Sequence, residues 1–235
     1  MSLRRACYAS LLVCVHLLGA GCSQSSEPQA NTALAEQGLE PRPAPQGNGK
    51  LVLAFGDSLY AGYGLAPAES FPAQLQAALQ KRGIAAEVHN AGVSGDTSAA
   101  GLSRLEFTLG GLSRKPDLAI VGLGGNDMLR GLDPAQTRSK LQAICDGLRK
   151  RNIPVVLTGM VAAPNLGRDY ANNFNAIFPG VAKQCGAALY PFFLEGVIAD
   201  PGLMLDDRIH PNAAGVGKIV ASVEPVIARE LGKKQ

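Results

Sequence analysis

From Lys50 onward, short apolar runs alternate with longer stretches in which apolar residues recur every three or four positions. The runs predict strands at Leu51–Phe55, Ala85–Ala91, Asp117–Leu123, Pro154–Gly159 and Ala187–Tyr190, the first of them uncharged and apolar enough to be buried on both faces. Between them lie helical periods. Ser70-Phe71-Pro72 opens a helix, with Ser70 suited to the N-cap and Phe71, Leu75, Ala78 and Leu79 on one face up to Gly83. Leu102, Leu105, Phe107 and Leu109 fall in a second helix, stopped by Gly110-Gly111. Pro134 opens a third, whose inward face is Leu141, Ile144, Cys145 and Leu148. A loop, 160–168, leads to a helix carrying Tyr170, Phe174, Ile177, Phe178 and Val181, which Pro179 is expected to kink. After an irregular stretch, 191–208, a last helix runs from about Pro211 to Leu231. Strands alternating with helices give right-handed βαβ units. The pattern therefore predicts an α/β class domain: three α/β/α layers around a five-stranded parallel sheet, flavodoxin-like in character.

The first 49 residues do not share this pattern. Arg4 and Arg5 precede an apolar core, Ala6 to Leu18, and a small-residue zone, Gly19-Ala20-Gly21-Cys22. That is the layout of an export signal over residues 1–21, too short to span a bilayer permanently. Cys22 directly after Ala-Gly resembles the lipobox of bacterial lipoproteins, although Gly19 stands where Leu is usual and Leu18 lies one place upstream. The resemblance implies lipidation of Cys22 and a periplasmic protein tied to a membrane. Residues 22–49, rich in Ser, Gln, Pro, Ala and Gly, read as a flexible tether. The folded domain is then 50–235.

Charge and cysteine content narrow the functional classes. The formal charge is +3, two of which are Arg4 and Arg5, leaving about +1 without the leader. No basic footprint for nucleic acid exists. Of five cysteines, Cys7 and Cys14 leave with the leader and Cys22 is the candidate anchor. Cys145 and Cys185 fall on apolar helix faces and are expected to pack as free thiols, although an oxidising compartment permits a bridge. Two distant histidines, His89 and His210, without clustered cysteines give no metal site, and no cofactor is expected.

The candidate chemistry lies at strand ends and in one late loop. An apolar strand stops at Gly56-Asp57-Ser58-Leu59, and in an open α/β sheet ligands gather beyond such carboxyl ends. Ser94-Gly95-Asp96-Thr97-Ser98, Gly124-Gly125-Asn126-Asp127 and Asp206-Asp207-Arg208-Ile209-His210-Pro211 share that edge. A serine hydroxyl needs an adjacent base, and His210 is the one histidine in a late polar loop. Asp207, three residues earlier, could orient it within one turn; Asp206 is the rival. Backbone N–H groups of Ser58 and Gly95 and the side-chain amide of Asn126 could hold a developing oxyanion. Other motifs fail on spacing: Gly92-Val93-Ser94-Gly95 is one residue short of a nucleophile elbow, and no dinucleotide or phosphate loop is complete.

In order along the chain, Gly-Asp-Ser-Leu, Gly, Gly-x-Asn-Asp and Asp-x-x-His-Pro resemble the SGNH (GDSL) hydrolases, in the branch of bacterial thioesterases, lysophospholipases and arylesterases. The likeness extends to Met128-Leu129-Arg130-Gly131-Leu132 and Pro191-Phe192-Phe193-Leu194-Glu195. It implies an esterase with loose specificity for acyl esters and thioesters. It also implies that the loop from Met128 to Asp133 moves over the acyl chain, with Met128, Leu129 and Leu132 as contacts. The segment Val161 to Asn165, with Ala162, Ala163 and Pro164, should line the acyl groove. Substrates are then small acyl esters such as lysophospholipids or aryl esters, taken by a monomer. A carbohydrate O-deacetylase is the alternative enzyme, and a non-catalytic lipid- or glycan-binding lipoprotein the alternative from another class.

Overall fold

A computed structural model describes residues 49–233. The leader, Cys22 and most of the tether lie outside the described residues. In chain order the elements are β1 (Lys50–Gly56), α1 (Ser58–Ala61), α2 (Phe71–Lys81), β2 (Ala86–Gly92), α3 (Ser98–Gly110), β3 (Leu118–Gly122) and α4 (Gly125–Leu129). They continue with α5 (Pro134–Lys150), β4 (Val155–Thr158), α6 (Arg168–Asn175), α7 (Ile177–Cys185), β5 (Ala188–Tyr190) and α8 (Ala213–Leu231).

All five strands pair in parallel in the order β2-β1-β3-β4-β5, the doubly wound flavodoxin arrangement. Because successive side chains of a strand point to opposite faces, β1 feeds two cores. Val52 and Ala54 pack with Phe71, Leu75 and Leu79 of α2 and Val216, Ile219, Val223 and Ile227 of α8. Leu53 and Phe55 pack with Leu105 of α3, Ile144 and Leu148 of α5 and Phe178 of α7. The chain reverses its winding beside β1, which opens a crevice at the carboxyl end of that strand.

Three neighbouring strands end in glycine, and the register aligns Gly56 with both Gly92 and Gly122. This row is a packing requirement. A Cβ on Gly56 or Gly122 would run into the Tyr60 ring, and one on Gly92 into the backbone of Tyr60 and Ala61. Missing side chains thus let α1 lie across the sheet end. Tyr60 is fully buried there, its hydroxyl bonded to Thr158 Oγ1 at 2.8 Å. Its ring packs against Phe71 and Phe193.

Several local expectations need correction. Ser70 occupies the N-cap position of α2 but makes no capping bond; its hydroxyl donates to the Pro67 carbonyl at 2.9 Å, closing the turn before the helix. The single kinked helix is two helices, and the break falls at Ala176 rather than at Pro179. A proline ring collides with the carbonyl four residues earlier, here Asn175, so the disruption precedes it by a turn. The last helix begins at Ala213, because Pro211 is held in an antiparallel bridge with Met204 and Asn212 accepts from Gly215 N. Finally, Cys145 and Cys185 are not free thiols. They form a disulfide, Cα to Cα 6.3 Å, because α5 and α7 cover the same face of the sheet side by side.

Candidate active site

Ser58 stands two residues past Gly56, the buried end of β1, as the first residue of α1. Asp57 caps that short helix, its Oδ1 accepting from Leu59 N at 3.0 Å, which fixes the bend that presents the hydroxyl. The late loop is shaped by Asp207. Its Oδ1 accepts from the N–H groups of Ile209 at 2.9 Å and His210 at 3.0 Å. Arg208 between them takes a left-handed conformation, φ 56°. Leu205 N donates to the His210 carbonyl at 2.8 Å and closes the loop.

The two segments meet. His210 Nε2 lies 2.9 Å from Ser58 Oγ, and His210 Nδ1 lies 2.6 Å from Asp207 Oδ2. With Nδ1–H donating to the carboxylate, Nε2 presents a lone pair to the serine hydroxyl. Asp207 is held down to about 2, chiefly by the His210 backbone N–H and then by the His210 ring. It therefore stays ionised wherever an imidazole can act as a base. It is Asp207, not Asp206, that reaches the ring. Tyr63 lies over that imidazole, ring centroids 4.4 Å apart.

Gly95 and Asn126 come to the same edge from the loops after β2 and β3. Gly95 has φ 85°, a conformation that favours glycine. Its carbonyl accepts from Arg130 Nη2 at 2.8 Å. The Asn126 amide donates to the Asp96 carbonyl at 3.0 Å and faces Asp57 Oδ2 at 3.4 Å. One ion pair and one hydrogen-bonded carboxyl set these loops. Arg104 lies over the Phe55 ring, donates to Asp96 at 2.6 Å and to the Gly56 carbonyl at 3.0 Å. Asp127 is buried and accepts from Ser98 N at 2.7 Å, Ser98 Oγ at 2.5 Å and Thr137 Oγ1 at 3.1 Å. The carboxyl of Asp57 is pushed up to about 6, mainly by burial. The charges of Asp96 and Asp127 add to the rise; the Leu59 N–H and His210 oppose it.

A cavity of about 450 Å³ opens beside Ser58, His210, Gly95 and Asn126. Met128, Leu129 and Ala163 line it as the sequence suggested. Leu132, Ala162 and Pro164 do not. Ala162 is buried beneath the surface with its N–H bonded to Asn175 Oδ1 at 2.8 Å, and exposed Pro164 starts a 3-10 turn. Leu132 faces outward while its carbonyl accepts from the Tyr170 hydroxyl at 3.1 Å. In their place stand Leu59, Tyr63, Met160, Leu194, Ile198 and Ile209. Only the apolar identity of Leu194 and its neighbours hinted at this, through the Phe-Phe-Leu run. The lining is apolar apart from the reacting groups, Asp57, Ser94 and Arg208.

A doubly wound α/β domain with this edge defines a carboxylester hydrolase. Residues 54–217 match the model of the GDSL-like lipase/acylhydrolase family, and the chain belongs to that family. It is 40% identical over 182 residues to the esterase TesA of Pseudomonas aeruginosa, covering 77% of this chain and 90% of that protein. Against thioesterase 1/protease 1/lysophospholipase L1 of Escherichia coli K12 it is 41% identical over 161 residues, covering 68% and 75%. The crystal structure of AlinE4, an SGNH-hydrolase family esterase, superposes with a TM-score of 0.68 at 50% identity, covering 80% of this chain and 99% of that one.

Proposed function

We propose that the protein is an exported serine esterase acting on acyl esters, lysophospholipids and aryl esters among them, through an acyl-enzyme on Ser58. The 2.9 Å approach of His210 Nε2 to Ser58 Oγ supports this most directly. Ser58 Oγ attacks the acyl carbon and its proton passes to His210, whose ring Asp207 orients and whose positive charge Asp207 offsets. The oxyanion accepts from the N–H groups of Ser58 and Gly95 and from Asn126. The Asn126 amide donates to the Asp96 carbonyl at 3.0 Å and, over a longer 3.4 Å, to Asp57 Oδ2; the hydrogen on the longer bond is the one that turns to the oxyanion. His210 then protonates the departing alcohol or thiol. Water, deprotonated by His210, attacks the acyl-Ser58 carbon; the C–O bond to Ser58 breaks as His210 returns the proton to Ser58 Oγ, and the acid is released. The apolar cavity favours acyl chains over acetylated carbohydrate.

Export through residues 1–21, lipidation of Cys22 and a tether over 22–49 before the hydrolase domain at 50–235 complete the reading, with a periplasmic monomer held at a membrane. The Cys145–Cys185 disulfide suits an oxidising compartment. Outside the cytoplasm acyl-CoA is not at hand, so oxygen esters are the better match than thioesters. A fluorophosphonate should label wild-type Ser58 and not Ser58→Ala, and the variant should lose hydrolysis of p-nitrophenyl octanoate. Unchanged turnover in Ser58→Ala would refute the mechanism. Binding of lipid without labelling would instead favour a non-catalytic protein, and preference for an acetylated glycan over the octanoyl ester a deacetylase.

A further inference from the structure

Among the described residues eight large apolar side chains are exposed, and seven belong to one edge of the molecule. Tyr63, Leu129, Ile198 and Ile209 line the cavity. Val93, Leu132 and Val161 do not, yet Val93 and Val161 sit in the loops leaving the carboxyl ends of β2 and β4, and Leu132 in the turn between α4 and α5 that follows β3. The eighth, Phe107, is on α3, away from those loops. Scattered exposed apolar residues are ordinary; a cluster round one opening marks a surface that meets something apolar.

We infer that this edge docks on a phospholipid surface, so that the cavity opens directly onto the lipid phase from which it draws acyl esters. The inference rests on the esterase reading for what enters the cavity. The docking surface itself stands on the apolar edge. Val93, Leu132 and Val161 lie outside the cavity lining, so an ester held in the cavity leaves them uncovered, whereas a lipid surface laid on this edge would meet them beside the four that line it. Chain length permits the arrangement. The globule starts at Gly49–Lys50, on the edge of the sheet opposite the cavity. Residues 23–48 supply 26 residues between Cys22 and that point. At full extension these reach about 90 Å. A domain of this length has a radius of gyration of about 16 Å. A protein held at Cys22 can therefore turn its far edge to the same membrane. No described helix is long and apolar enough to cross a bilayer, so the contact is peripheral.

The test uses the chain from Ser23 onward, which contains every described residue, with vesicles of phosphatidylcholine and phosphatidylglycerol. Wild type should float with the vesicles. Val93→Glu/Val161→Glu should cut the bound fraction at least about tenfold, since two exposed valines that would enter the lipid are replaced by charges that resist the interface. Phe107→Glu, which removes the most exposed apolar residue, should leave binding unchanged. Hydrolysis of soluble p-nitrophenyl butyrate should stay within about twofold in all three, while turnover of palmitoyl lysophosphatidylcholine carried in the vesicles should fall with binding. Val93→Ser/Val161→Ser replaces the charged pair should that fail to fold. Wild type that does not float, or an equal loss in Phe107→Glu, overturns the inference. So does a dimer in sedimentation that the valine pair dissociates, because the edge would then be covered by a second copy. Wild type that floats but hydrolyses no ester would leave the docking surface standing and remove the esterase reading.

Discussion

Asp127 offers a sharp test of how the oxyanion loops are held. Its buried carboxylate accepts three hydrogen bonds, from Ser98 N, Ser98 Oγ and Thr137 Oγ1. It thereby ties the loop carrying Asn126 to the loop carrying Gly95 and to α5. Asp127→Ala removes all three acceptors. The Ser98 N–H cannot turn away and is left unpaired, a loss of about 1–3 kcal/mol. The favourable charge at the N-terminus of α3 goes with it, about 0.5–1 kcal/mol. The two hydroxyls can rotate and lose less, so the total is about 3–5 kcal/mol. Asp127→Asn behaves differently. Its oxygen can face Ser98 N, and its NH₂ can donate to both hydroxyls, which accept as readily as they donate. The cost should then be about 1 kcal/mol. Urea unfolding measures the stability, and kcat/KM on a soluble ester reads the loops. The alanine variant should lose about 100-fold in kcat, as displaced oxyanion donors do, and the asparagine variant far less. Equal effects of the two substitutions, or an alanine variant within 1 kcal/mol of wild type, would show that the loops are held by something else.

Two further predictions concern stability. Folding raises the Asp57 carboxyl from 3.8 to about 6, so the unfolded chain releases this proton first as pH rises. Stability from this group is intact below about 4 and falls as pH climbs through 6, by about 3 kcal/mol in all. Asp57→Asn should flatten that decline; urea midpoints at pH 4 and 7 that fall as steeply as in wild type would contradict it. The Cys145–Cys185 disulfide closes a loop with a sequence separation of 40. Chain entropy assigns it about 4 kcal/mol. Dithiothreitol should lower the melting temperature of wild type and leave Cys145→Ala/Cys185→Ala unmoved; equal shifts in both would show that the reductant acts elsewhere.

What the sequence displayed and what it hid divide along one physical line. The central strands β1, β3 and β4, buried almost throughout, announce themselves as apolar runs, and the ends of β1, β2 and β3 are marked by glycines that the packing of α1 at Tyr60 requires. Ser58, Gly95, Asn126, Asp207 and His210 could be singled out only together, from their order along the chain and their shared place at strand ends; each alone reads as an ordinary turn, cap or surface residue, and Asp206 stood as a rival to Asp207. Contacts between separate elements carry no such mark. Cys145 and Cys185 each look like an ordinary apolar-face residue, and only the placement of α5 against α7 puts them within bonding distance. Asp127 looks like the last letter of a motif until Ser98 and Thr137 are seen to converge on it. The cavity shows the same division. Residues next to the motif in sequence, such as Met128 and Leu129, were anticipated. Tyr63, Ile198 and Ile209 were not, since they reach the cavity from other loops that only the closed sheet brings together. Leu132 and Pro164, equally near the motifs, face outward, Leu132 after a turn closed by its N–H on the Asp127 carbonyl and Pro164 at the start of a 3-10 turn. Chemistry at a sheet edge is thus legible where several residues recur in a fixed order along the chain. Where the action depends on what stands opposite, the fold must supply it. The apolar rim belongs to that second kind: Val93, Leu132 and Val161 look like unremarkable loop residues until the sheet gathers them round one opening.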